Sequence, residues 1–179
     1  MLTSSFVRRA IAVAALGALC TCGTLDKVDV DASAEAQIPR ATLLDELLAA
    51  VDFGGFDDID FAREIENQGV KEDQIDSVRI ASFVLSTGAG AAQTLDFIES
   101  IEVHASADGL PDVVIADGAD FAGKTEAELT VHGDVELKPY VIAPSMTLAV
   151  KVTGKRPSDD TTVHADVTLS VDATVPGCE

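Results

Sequence analysis

The sequence predicts a mainly β protein, an antiparallel β-sandwich of about seven or eight strands with one or two short helices near the N-terminus. Three observations predict it. The last stretch alternates without a break: Val163, Ala165, Val167, Leu169, Val171, Ala173 and Val175 against His164, Asp166, Thr168, Ser170, Asp172 and Thr174. Shorter stretches of the same period recur back along the chain, and clusters of Gly, Pro, Asp and Ser separate them. A period of two sets one face of a strand against a core and the other in water.

The first alternating segment is Val28, Val30, Ala32, Ala34, Ala36 and Ile38, spaced by Asp29, Asp31, Ser33, Glu35 and Gln37. Two helices follow. Thr42 is placed to cap one over 42–53, with Leu43, Leu44, Leu47, Leu48 and Val51 on one face and Gly54-Gly55 at its end. The second runs from Phe61 to Gln68, where Gly69 suits the left-handed stop and Ile65 and Val70 suit the accompanying apolar contact. Val78 to Leu85 and Val113 to Ala116 are apolar on both parities, which predicts central strands covered on both faces.

Ile101, Val103 and Ala105 form a shorter strand closed by the turn Asp108-Gly109-Leu110-Pro111. Ala127, Leu129, Val131, Val135 and Leu137 form another, interrupted at Gly133 and stopped by Pro139. Met146, Leu148, Val150 and Val152 face inward on even numbers, and Gly154 to Asp160 reads as a hairpin loop joining them to the final strand. Thr87-Gly88-Ala89-Gly90-Ala91-Ala92 lacks the third glycine of a phosphate loop and reads as a flexible hairpin connection.

Ahead of all this lies an address. Arg8 and Arg9 precede an apolar run from Ala10 to Leu19 that ends at Cys20-Thr21-Cys22-Gly23. A basic head, a short apolar segment and a small-residue border make an export signal, and the run is shorter than the roughly 20 residues that span a bilayer. The stretch resembles a bacterial lipoprotein signal, in which Leu-x-x-Cys marks the cysteine that is acylated and becomes the new N-terminus. Leu19 stands three residues before Cys22 and Gly23 follows it, while Thr21 stands where the family prefers Gly, Ala or Ser. Cys20 is the second choice, because Gly17 and Leu19 fit the pattern less well. The resemblance implies a leader over 1–21, an acylated linker over 22–27 and a single domain over 28–179. Gly23 rather than Asp after the cysteine resembles lipoproteins sent to the outer membrane of Gram-negative cells.

Charge narrows the partners. The chain carries 12 Lys+Arg against 31 Asp+Glu, a net charge of −19, and loss of Arg8 and Arg9 with the leader takes it to −21. Such a surface repels phosphate backbones, so no nucleic acid partner is expected, and membrane attachment would come through the N-terminal lipid. With 47% hydrophobic residues at regular spacing, the acidity reads as solubility rather than disorder. Cys178 is either an unpaired thiol or, if cleavage falls before Cys20, the partner of Cys22.

Sites for chemistry are few. His104, His132 and His164 fall on the polar parity of their strands and read as scattered surface residues unless one sheet gathers them for zinc. Asp57, Asp58 and Asp60 are weak calcium candidates, and these and the acids Asp108, Asp112, Asp117, Asp120, Asp159 and Asp160 read as solvated turn residues. No Gly-x-Ser-x-Gly elbow or His-Glu-x-x-His occurs, and no cofactor is expected. With no Trp and only Tyr140, the flat platforms used for sugars are missing. The expectation is a non-enzymatic, membrane-anchored envelope module that binds an unknown envelope protein or serves a structural role. The alternative is an envelope carrier, with Leu44, Leu47, Leu48 and Val51 of the 42–53 helix capping a cavity for an apolar, lipid-like ligand.

Overall fold

A computed structural model describes residues 27–42, 47–48, 60–88, 93–143 and 146–174. In chain order these form β1 (Lys27–Ile38), β2 (Leu47–Leu48), α1 (Phe61–Asn67), β3 (Ile75–Ser86), β4 (Ile98–Ser106), β5 (Val113–Ala119), β6 (Glu126–Glu128), β7 (Thr130–Val131), α2 (Lys138–Val141), β8 (Thr147–Lys155) and β9 (Thr161–Ala173). The strands make two antiparallel sheets, ordered β1-β9-β3-β6 and β2-β8-β4-β5-β7. The β-sandwich expected from the alternation is what the chain forms.

β6 and β7 are one pass of the chain, split at Leu129 so that its halves pair with different sheets. Counted as one, the strands are laid down 1-8-3-6 in the first sheet and 2-7-4-5-6 in the second, strand 6 contributing to both. That order is a jelly roll, a double sheet of two Greek keys. It also explains two corrections. β8 and β9 do not form a hairpin: β8 lies between β2 and β4, β9 lies between β1 and β3, and residues 156–160 cross from sheet to sheet. The connection after Ser86 also joins β3 to a strand of the opposite sheet, so it is no hairpin either; its residues 89–92 lie outside the described ones.

The parities nevertheless hold. Leu148, Val150 and Val152 are buried, as are the odd positions of β9 from Val163 to Ala173. With Phe83, Leu85, Ile101 and Phe121 they fill the layer between the sheets. Each such side chain, fully withdrawn from water, contributes about 1.5–3 kcal/mol. β3 corrects the reading of strands covered on both faces. Its register against β9 shifts between Ile80 and Ser82, so Val78 and Ile80 point inward before the bulge and Phe83 and Leu85 after it. A bulge changes the inward parity, which makes a one-sided strand look apolar on both. β5 does the same at Ile115 and Ala116, both wholly buried across a shift between Val103 and His104.

The helix expected over 42–53 is overturned where it can be seen. Leu47 and Leu48 form β2, paired with Lys155 and Gly154 of β8. Short apolar runs suit either element, and the open edge of β8 settles the choice by hydrogen bonding. Leu44, Val51 and Gly54-Gly55 lie outside the described residues. α1 forms as expected, with the Asp60 side chain accepting from Arg63 N–H at 3.0 Å and Gly69 at φ +88°. α2 is new. The strand expected to run through Val135 and Leu137 ends at Val131 instead, and Pro139 sits in the first turn of α2, where no N–H is required of it.

Candidate functional site

The polar groups that carry structure-specific geometry are the three histidines, and each is met by a carboxylate. His104 sits where the bulge offsets β4 from β5, with Val103 opposite Ala116 and His104 opposite Val114. The side chain is only 9% exposed. Its Nδ1 lies 2.6 Å from Asp112 Oδ1 and its Nε2 lies 3.2 Å from Glu102 Oε2. Asp112 belongs to the β4–β5 turn, which Tyr140 of α2 also grips by donating from its hydroxyl to Pro111 O at 2.8 Å. The buried imidazole and its two exposed carboxylates clamp that turn. This corrects two expectations: His104 is not a surface residue, and Asp112 is not merely a solvated turn acid.

His164 lies on the outer face of the other sheet, in register with Glu35 of β1 and Ser86 of β3. Its Nδ1 is 3.1 Å from Glu35 Oε1. A Cβ on Gly88, which has φ +85°, would stand 3.2 Å from Nε2. The three line an open groove of about 450 Å³ with Ser33, Ser86 and Asp166. A carboxylate on Nδ1 orients an imidazole as a base is oriented, and Ser86 stands in register with His164 on β3.

His132 follows β7 in the second sheet, with Nε2 3.4 Å from Asp117 Oδ2. Two histidines thus share one sheet and the third belongs to the other, so the three do not converge. Among the described residues no group of three or more His, Cys, Asp or Glu is arranged to hold a metal ion. Of the calcium candidates, Asp57 and Asp58 lie outside the described residues and Asp60 is spent on capping α1. Cys20 and Cys22 also lie outside them, as does Cys178.

A wider groove of about 890 Å³ runs beside α1 and α2. It gathers Arg63, Lys71 and Lys138, but Asp60, Glu66, Glu72 and Asp73 line it as well, and Lys138 Nζ donates to Ile75 O. Neither groove is an enclosed apolar cavity, and the Leu47–Leu48 strand removes the helical cap that the carrier reading required.

The outer face of β1 and β9 is acidic. Asp29, Asp31 and Glu35 are exposed on β1, with Asp166 and Asp172 beside them on β9. Lys27 lies 3.8 Å from Asp172, and Thr168 Oγ1 donates to Asp31 Oδ1 at 2.7 Å.

No family model matches the chain, and no curated protein does. Among solved structures it is similar to the crystal structure of a decameric BFDV capsid protein, with a TM-score of 0.38 and 9% identity, over 81% of this chain and 98% of that one. A likeness at that level carries no argument about function.

Proposed function

We propose that the protein is an exported lipoprotein, anchored through acylated Cys22 in the outer membrane, whose jelly-roll domain is a non-enzymatic binding or structural module of the cell envelope. The observation that carries this reading is Leu19-x-x-Cys22-Gly23 after Arg8, Arg9 and an apolar run. The start of the domain supports it. β1 begins at Lys27, five positions past Cys22, so the linker spans no more than about 20 Å and would hold the domain against its membrane.

The experiment is metabolic labelling with a fatty acid, followed by membrane fractionation. Wild-type protein should take up label and partition with membranes, because acyl chains contribute about 0.8 kcal/mol per buried CH₂. Cys22→Ser should be unlabelled and soluble. Label lost on Cys20→Ser and kept on Cys22→Ser would move the anchor to the other cysteine. Label on neither cysteine would end the lipoprotein reading.

A further inference from the structure

β1 is an edge strand. It pairs with β9 on one side, and no described residue pairs with it on the other. Such an edge presents a row of unpaired N–H and C=O groups, and proteins ordinarily blunt it with a short strand, a bulge, a proline or charge. β1 uses none of the first three. It runs for 12 residues without proline, and its register with β9 is unbroken from Lys27 opposite Asp172 to Ile38 opposite Thr161. Among the described residues α1 is in contact with β1, and the charge along the strand is of one sign: Asp29, Asp31 and Glu35, flanked by Asp166 and Asp172. The lone cation, Lys27, is already beside Asp172.

A guard of one sign selects rather than closes. A second copy pairing antiparallel about the middle of β1 would bring Asp29 near the copy's Glu35, and like charges opposite one another destabilise a strand pair. An acidic strand meets the same repulsion. A basic strand meets attraction.

We propose that the edge of β1 away from β9, with which no described residue pairs, is the docking site for an extended, basic segment of a partner protein, which joins the sheet as an added strand. Lys or Arg at every second position would fall on the face of Asp29, Asp31 and Glu35. The intervening apolar residues would continue the inner row of Val28, Val30, Ala32, Ala34 and Ala36. Ala32 is half-buried where its neighbours in that row are buried, so the row has room at its middle for a side chain from outside. This deepens the binding-module reading by naming the partner's chemistry, and it is tested independently of the anchor.

The test uses the full chain in detergent and a 12-residue peptide of alternating lysine and valine, matched to β1 in length. Backbone NMR should show slowed hydrogen exchange at alternate amides of β1, those pointing away from β9, with affinity falling as salt rises. Asp29→Lys/Asp31→Lys/Glu35→Lys, checked for an unchanged circular dichroism spectrum, should weaken binding by roughly tenfold or more and bind a glutamate–valine peptide instead. The control that separates strand addition from mere charge is the same lysine–valine peptide N-methylated at alternate residues. Equal binding of that peptide, equal binding of the acidic one by the wild type, or exchange protection of β1 by self-association would each overturn the proposal. Loss of fatty-acid label, by contrast, would touch only the anchor.

Discussion

Val78 donates its backbone N–H to the Glu136 carboxylate at 2.8 Å, so a side chain occupies the place where a neighbouring strand would bond. The same residue accepts from Leu137 N–H at 2.8 Å through its carbonyl. Glu136 Oε1 also accepts from Lys138 N–H at 3.0 Å, and Oε2 lies 3.7 Å from Arg79. β6 covers β3 only at Val84 to Ser86, and the segment after β7 stitches shut the remainder of this edge. The two ends of the first sheet therefore differ: β3 is closed by a carboxylate and a loop, whereas no described residue pairs with β1 on the side away from β9.

Glu136→Ala should orphan the Val78 N–H and cost about 1–3 kcal/mol in urea denaturation, because a donor left unpaired suffers its full desolvation penalty. Glu136→Gln keeps an acceptor and should cost less. Equal losses for the two would show that the charge next to Arg79 matters and the hydrogen bond does not.

The inward parity of β9 gives a sharper contrast. Val167 is 1% exposed in the core, so Val167→Asp buries an unpaired charge and should cost several kcal/mol. Thr168 faces outward, yet it is not an indifferent control. It donates to Asp31, its register partner, so Thr168→Asp replaces a hydrogen bond by two facing carboxylates. That change should cost about 1 kcal/mol and recover partly in high salt, which Val167→Asp should not.

These strands also show how far sequence reaches. Period-two alternation reports which side of a strand meets the core, and for β1, β8 and β9 it does so correctly, but an inner face looks the same in either sheet. Pro157, Ser158, Asp159 and Asp160 mark a turn equally well whether the chain doubles back beside itself or crosses the sandwich. The bulges at Ile80 and Ile115 arise from pairing with distant strands and leave only a double apolar parity behind. His104 was legible as an outward-facing residue. Its burial was not, because the carboxylate of Asp112 and the offset that brings Val114 opposite it come from another strand and its turn. For β2, the apolar spacing of Leu43 to Val51 fits a helix, and the edge of β8 that overrides it is remote in sequence.

Gly154 tests the close approach of β8 to β4. It lies inside β8 rather than in the loop that the sequence suggests, and a Cβ there would collide with the carbonyl oxygen of Phe97, a backbone atom that already accepts from Lys155 N–H. Backbone cannot step aside as a flexible side chain can. Gly154→Ala should cost about 1–3 kcal/mol by overpacking. Gly133→Ala, with nothing within 4 Å of its Cβ position, should be near silent. Comparable thermal midpoints for the two variants would mean that the strands stand further apart than the pairing of Gly154 with Ile98 implies.

Acid should loosen the loop contact between the approach to β4 and the approach to β6. Asp96 accepts from the backbone N–H of Gly123, which has φ +73°, and nearby Leu95 N–H donates to Lys124 O at 2.7 Å. The Gly123 hydrogen bond first, and one from Thr94 second, hold the Asp96 carboxyl below its ordinary range. A carboxylate whose affinity for protons is lowered by folding stabilises the fold fully above its unfolded pKa, about 3.9, and that contribution is lost as pH falls through the lower folded value. Asp96 is fully exposed, so the effect is small and its sign is the test. Wild-type protein should be more stable than Asp96→Asn at about pH 7, and the gap should narrow below about pH 4 as protonation removes the charge the loop was built to hold. Urea midpoints measured for both proteins across that range decide it: a gap that stays constant into acid would show that the Asp96 charge takes no part in pinning Gly123.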